Sequence, residues 1–573
     1  MPDSPLGPQP SFEPNSEKKS ELSRRGFLQT AAAGLAGLAG AAALPAPAKA
    51  EEAPFEIATG GPYEEPPAIN FIQDRQYRSR QMRLDCAELH YNGAWPAQVD
   101  NGDEARYPLN RAGSYSKGLP KLPDGTCDPA AYDVFRAAVL SGSFQAMEGI
   151  TTGTGGTLRQ KSPLGALHYR LEGCDSAQLV APPAPELSSA WEAAEGVELY
   201  WRAITRDVPY TRFATDPLIA LAVEDMNQLS DYRGPRENGA VTPNVIFRGF
   251  QTASHRGPFL SQFMLLPYWF GNGRVHQRFE TAVADEDFLT SWDEWLAIQN
   301  GVPPARHLTF DPVHRYIRNG RDLGEWLHRD FSYQGPLAAA LVLMGYGEAA
   351  WDPGNPMVHS TKQCGFTTLG GPDMLDMVAK ASKPGMGATW YQKWQVHRRL
   401  RPEEYAGRIH AHKTGLANFP IHSDMLMSNS LMLVWNKYLS WLLPQAFPEG
   451  CPPHPAYPGG HSTFGAAGCT MLKAFFKEDF IIPNPVVPNE DGTALVPWQG
   501  DPLTIGGELD KLASNIAHGR DGAGVHWRSD CEEGMKIGEQ MSIEILRDLL
   551  TCYAEPVRFS LTKFDGTRIE LGS

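Results

Sequence analysis

From about residue 131 to residue 551, apolar side chains recur at intervals of three and four, the spacing that lines one face of an α-helix. The segments are 131–147, 187–205, 216–230, 284–299, 321–329, 335–346, 372–400, 421–443, 461–477, 506–517 and 530–551. Helices with one apolar face bury it against one another, so the expected fold class is all-α. Strand-type patterning is confined to the end of the chain, where Val557–Leu571 reads as a hairpin turning at Asp565-Gly566. Residues 51–130 are punctuated by Pro and Gly and hold few long periodic runs. This predicts an extended region wrapped over a helical core at 131–555. The stretch 481–505 is Pro-rich and loop-like, and no repeat of fixed period occurs.

The first fifty residues stand apart. Ser23-Arg24-Arg25-Gly26-Phe27-Leu28 precedes an Ala/Gly/Leu-rich run to about Leu44, and Ala48-Lys49-Ala50 supplies a small-x-small cleavage pattern. Paired arginines before such a run form a twin-arginine export signature, so 1–50 is expected to be a signal peptide and the mature chain periplasmic or secreted. No later stretch reaches about eighteen uninterrupted apolar residues, which predicts a mature form without a membrane span. The formal net charge of −15 argues against a nucleic-acid partner, which demands an excess of Lys and Arg. Any anion site is therefore a local basic pocket in an acidic body. The eight cysteines are scattered and form no CxxC, which weakens zinc-ribbon, thioredoxin-like and c-type haem readings. An oxidising compartment favours one or more disulfides, a route that exports folded protein leaves room for thiols, and the spacing assigns no pairing.

Three clusters concentrate the chemistry. In the first, Lys393, His397 and Arg401 fall at about 0°, 40° and 80° around a helix, hence on one face, with Pro402 placing Arg401 near the helix end. Residues 391–413 hold six basic and two acidic residues, a basic island in an acidic protein. The second runs from His454 through Pro458-Gly459-Gly460-His461 into a helical segment. Bare backbone N–H groups and a helix N-terminus there suit an anion. The third spans Arg520 to Glu532. Ser529 and Glu532 form a capping-box pattern that starts a helix just after His526 and leaves Arg520 and His526 on a loop. Taken together, one Lys, two Arg, a Gly-rich helix start and two His make an inventory for holding a tetrahedral oxoanion.

The order Lys393…Arg401-Pro402, Pro458-Gly459-Gly460-His461 and Arg520…His526 resembles the signature of the vanadium-dependent haloperoxidases, whose site is shared with acid phosphatases of the phosphatidic-acid-phosphatase type. Likeness to the algal bromoperoxidase branch extends through Leu84-Asp-Cys-Ala-Glu-Leu-His90, Asn101-Gly-Asp-Glu104, Lys117-Gly-Leu-Pro120, Glu198-Leu-Tyr-Trp201, Arg206-Asp-Val-Pro209 and Arg318-Asn-Gly-Arg-Asp322-Leu323. The resemblance implies two four-helix bundles around the site, vanadate as cofactor, and a homo-oligomer. The implied substrates are hydrogen peroxide, bromide or iodide, and a small organic acceptor halogenated by a hypohalous species. By position, Lys393, Arg401 and Arg520 correspond to the cations on vanadate oxygens, and Gly460 to a backbone donor. His526 corresponds to the vanadium ligand and His461 to the acid–base group, while Lys393 also polarises the peroxide. The seven residues between Lys393 and Arg401 match the bromoperoxidase branch. So does His454, where chloroperoxidases carry Phe.

One departure bears on affinity and halide range. The family usually has Ser where this chain has Gly459, and a hydroxyl bonded to an anionic oxygen is worth about 1.5–3 kcal/mol. Some bacterial iodide-oxidising relatives also lack it, which shifts the expected preference toward iodide. Two other readings remain open at this point: a phosphatase with His526 as nucleophile, and an exported, non-catalytic oxoanion-binding protein. Weaker motifs are read as structural. Gly153-Thr-Gly155-Gly156 lacks the rest of a phosphate loop, and His410-Ala-His412 has no third ligand in sequence. Asp322 is a candidate partner for a site arginine by resemblance alone, and His397, Trp394 and Arg399 are equally wall or packing residues.

Overall fold

A computed structural model describes residues 68–572, and the twin-arginine segment 1–50 lies outside them. The chain divides between Gln73 and Asp74, and the unit Asp74–Ser573 carries the whole of the site. The expectation of an extended 51–130 needs correction at its first described element, the 24-residue helix α1 (Ala68–Tyr91). Charged and polar residues surround α1 on every side, so no apolar stripe betrays it in the sequence.

Two groups of helices frame the site. One is gathered on α2 (Ala190–Ile204) with Pro217–Asn227 and Asn429–Tyr438. The other contains α3 (Gly320–Arg329) and the long helix α4 (Gly371–Tyr391). Helix α5 (Pro402–Thr414) leads from the second group into the core of the first, where Tyr405 and Ile409 join Trp201, Met425 and Trp527. Helices α6 (Gly460–Phe475), α7 (Ile505–Gly522) and α8 (Arg528–Leu550) complete a four-helix bundle with α4. Helix α6 is its axis, buried on all sides except at His461. Small residues make that possible. A Cβ on Gly538 of α8 would lie 2.1 Å from the Thr463 carbonyl oxygen of α6, so the two backbones touch.

Among the described residues strands are few: the short hairpins β1–β2 (Tyr268–Phe270, Gly273–Val275) and β3–β4 (Val486–Pro488, Leu495–Pro497), and the expected C-terminal hairpin β5–β6 (Phe559–Thr562, Arg568–Leu571). Its turn carries Gly566 at φ 87°. Among the described residues no helix is long and apolar enough to cross a membrane. All eight cysteines are thiols, so no disulfide forms among them.

Three expected helices are broken. Gly142, at φ 65°, ends the first at Ser141, and 421–443 divides into Ser423–Leu426 and Asn429–Tyr438. The third break shapes the site. Helix α4 opens into a wide turn over Gln392–His397, closed by Arg398 N–H donating to Lys393 O at 3.0 Å. Arg398 then takes a left-handed conformation (φ 40°), held by its ion pair to Glu104 at 2.7 Å. Arg401 is extended, as the residue before a proline prefers, and caps the start of α5. Lys393 and Arg401 thus come from two elements and do not share one helical face.

Candidate active site

The buried end of a cavity of about 690 Å³ is formed by His454, Gly460, His461, Arg520 and His526. Gly460 is the first residue of α6, where a backbone N–H has no acceptor within the helix. The Gly459 N–H is already spent on Asp530 O at 2.7 Å, so of the pair it is Gly460 that faces the site with a free donor. Arg520 lies on the last turn of α7 and not on the expected loop; only His526 is in the connection to α8. The expected capping box is also replaced. The Asp530 carboxylate reaches back to the Trp527 N–H at 3.0 Å, while Ser529 donates to Glu195 at 2.8 Å and Glu532 accepts from Arg528 at 3.3 Å.

Asp530 does a second thing. Its Oδ2 accepts from His526 Nδ1 at 2.8 Å, which fixes the proton there and leaves the lone pair on Nε2. That Nε2 in turn lies 3.0 Å from Arg401 Nη1. Arg401 also donates to His454 O at 2.8 Å and Val525 O at 2.7 Å, and its Nη2 is 2.9 Å from His454 Nδ1. Lys393 Nζ donates to the Pro455 and Ala456 carbonyls at 2.9 and 2.6 Å. Arg520 Nη1 donates to Leu327 O at 2.9 Å, while its buried Nε has no partner.

The electrostatics follow from those partners. Lys393, Arg401 and Arg520 are buried, and among the described residues none forms an ion pair with a carboxylate. Burying unpaired cations is costly unless an anion arrives. The cost shows in the titration of the group. Burial, then Arg401, hold the Lys393 ammonium well below its usual range. Burial brings the Arg520 guanidinium down to about 10. Burial and the three cations hold His526 far below its usual value, so it stays neutral and able to ligate.

His461 Nε2 is 2.9 Å from Asp330 Oδ1, and the carboxylate's other oxygen is buried and unpartnered. Burial lowers the His461 pKa, and Asp330 opposes the shift. Asp330, just beyond α3, and Asp530 are site residues that the sequence reading misses. Asp330 is 131 residues from His461 and leaves no spacing signal. Asp530, four residues after His526 on the first turn of a helix, does leave one. The candidate Asp322 pairs instead with Arg318 at 2.9 Å. His397 bonds Gln392 and stacks edge-on to Tyr457, and Trp394 packs against Tyr115 and Phe135. The basic island is also less free than it looks, because Arg398 meets Glu104, and Arg399 meets Glu192, Glu195 and Asp530.

The second helical-bundle domain of the VCPO family matches residues 374–553, the stretch that supplies Lys393, Arg401, His454, Gly460, His461, Arg520, His526 and Asp530. Over 532 residues the chain is 31% identical to a vanadium-dependent bromoperoxidase of Ascophyllum nodosum, covering 89% of this chain and 94% of that one. The chain belongs to the vanadium-dependent haloperoxidases. A bromoperoxidase of Corallina pilulifera is likewise 31% identical, covering 88% of this chain and all of the other. The homohexameric structure of the second vanadate-dependent bromoperoxidase of Ascophyllum nodosum superposes with a TM-score of 0.84 at 29% identity, over 91% of this chain and 95% of that one. For a haloperoxidase of this kind the donor set fits vanadate. Three buried cations outside any ion pair among the described residues act on a neutral imidazole whose Nε2 faces Arg401, beside an open helix N-terminus.

Proposed function

We propose that the chain is a vanadate-dependent haloperoxidase that oxidises bromide, and iodide, with hydrogen peroxide, and that the hypohalous product halogenates an organic acceptor. The observation that carries this reading is the buried set of Lys393, Arg401 and Arg520 beside His526, none of which forms an ion pair with a carboxylate among the described residues. When bound, vanadate acts as a Lewis acid toward peroxide and keeps its oxidation state.

The protein's part is electrostatic and protonic. His526 offers Nε2 as ligand while Asp530 holds the ring by Nδ1. Lys393, Arg401 and Arg520 neutralise the oxoanion's oxygens, with Lys393 the group that draws charge from the peroxide, and the Gly460 N–H adds a donor. His461 keeps a proton at Nε2 against Asp330 and exchanges one at Nδ1. The Asp330 carboxylate stabilises the imidazolium formed in passing. The homohexameric Ascophyllum relative supports an assembly of identical subunits for this chain as well.

The test is bromination of a dimedone-type acceptor after chelator stripping, with and without orthovanadate, beside hydrolysis of a phosphate ester. Vanadate-restored bromination is expected. Ester hydrolysis inhibited by vanadate, with no halogenation, would replace the reading by the phosphatase.

A further inference from the structure

The cavity is far larger than a halide and peroxide need, and its walls differ from end to end. At about 690 Å³ it is in the range of sites that enclose small organic molecules. Much of its lining is apolar, contributed by Ile298, Val302, Pro303, Trp390, Phe447 and Phe464. The carboxylates that line it already have partners: Asp330 meets His461, and Glu449 meets His328 at 2.6 Å. The buried lysine on the lining, Lys117, is paired with Glu403 at 2.8 Å.

Arg159 and Lys161 are different. Both line the same cavity, both are exposed and so stand at its open end, and neither forms an ion pair among the described residues. They are not on a loose loop. The Lys161 N–H donates to Pro453 O at 2.8 Å, next to His454, and Trp390 Nε1 donates to Lys161 O at 3.1 Å. Gln160 donates to Lys117 O at 2.9 Å and accepts from the Tyr115 hydroxyl at 2.7 Å. The backbone that presents the two cations is therefore fastened to the loop and helix that build the catalytic end.

We propose that this cavity is an acceptor-binding site for electron-rich aromatic carboxylates. The carboxylate is held at the mouth by Arg159 and Lys161, and the ring lies against the apolar lining, directed toward His461 and Gly460. Halogenation then takes place inside the cleft. This rests on the haloperoxidase reading. The chemistry balances with reagents that reading supplies: bromide, hydrogen peroxide and a proton give hypobromous acid and water. Hypobromous acid and Ar–H then give Ar–Br and water, the ring proton leaving with the hydroxide oxygen.

The experiment is a competition. Equal amounts of 4-hydroxyphenylacetate and its carboxamide, rings of like reactivity, are offered to vanadate-loaded protein with bromide and peroxide. The ratio of brominated products is then compared with that given by reagent hypobromous acid. The wild-type protein is expected to favour the carboxylate about three- to ten-fold over the reagent ratio, the effect of one or two exposed ion pairs. Arg159→Glu/Lys161→Glu, loaded to the same vanadate occupancy, is expected to return to the reagent ratio, and high salt to move wild type the same way. A wild-type ratio equal to the reagent's, or a variant that keeps the preference, overturns the proposal. Calorimetric titration of 4-hydroxyphenylacetate into loaded protein without peroxide gives an independent reading, expected to weaken by a similar factor in the variant. If no bromination occurs at all, the haloperoxidase reading fails and this titration alone decides the site: equal affinity in both proteins overturns it.

Discussion

A side chain at position 459 has no room. The backbone there (φ −75°, ψ 128°) suits any residue, yet a Cβ would lie 2.6 Å from Ser462 Oγ and 3.1 Å from Asp530 O. Ser462 is itself committed, donating to Gly459 O at 2.8 Å, and Gly534 of α8 closes over it from the other side. Glycine at 459 is therefore matched to the close approach of α8, the same approach that brings Asp530 to His526. Gly459→Ser is expected to lower stability by about 1–3 kcal/mol through overpacking. Adding Ser462→Ala should recover most of that by clearing the nearest atom. Thermal unfolding of the two variants decides the matter, and a Gly459→Ser protein as stable as wild type would show that the crowding is illusory.

Between elements, Arg399 is the fastening. From the link between α4 and α5 it meets Glu192 and Glu195 on α2 and, at 3.0 Å, Asp530 on α8. It thereby ties both helix groups to the carboxylate that orients His526. One guanidinium cannot neutralise three buried carboxylates. Burial outweighs Arg399 at Glu192, raising its pKa to about 8, and at Glu195, raising it to about 7. Both values lie above the ordinary glutamate value of about 4.3, so the folded protein holds protons that the unfolded chain releases. Their contribution is complete below about pH 4 and is lost as pH rises through 7 to 8. The melting temperature is expected to fall between pH 5 and pH 9, and Glu192→Gln, which still accepts from Arg399, to fall less steeply. Parallel curves for the two proteins would refute the assignment.

Across the whole molecule, most of the helices and most of the residues that the fold gathers at the candidate site were legible in the sequence, for different reasons. The bundle helices α4, α6, α7 and α8 bury apolar faces, and burial writes a period into sequence. Helix α1 buries little and writes none. Lys393, Arg401, Gly460, His461, Arg520 and His526 stand in tight motifs. Asp330 reaches the site only through the packing of α3 beside α7, which no local spacing encodes. The break after Gln392–His397 was hidden because Lys393 and Arg401 sit at a helical interval even though the chain between them is not one helix. Helix packing holds these groups together against their mutual repulsion: an acidic protein that buries three cations outside any ion pair is built to receive an oxoanion. The most direct measurement of that claim is a calorimetric titration of orthovanadate into chelator-stripped protein and into its His526→Ala variant. Stoichiometric binding in the wild type, weakened at least about a hundred-fold in the variant, is the predicted result. Equal affinity in the two proteins, or no binding in either, would contradict the account.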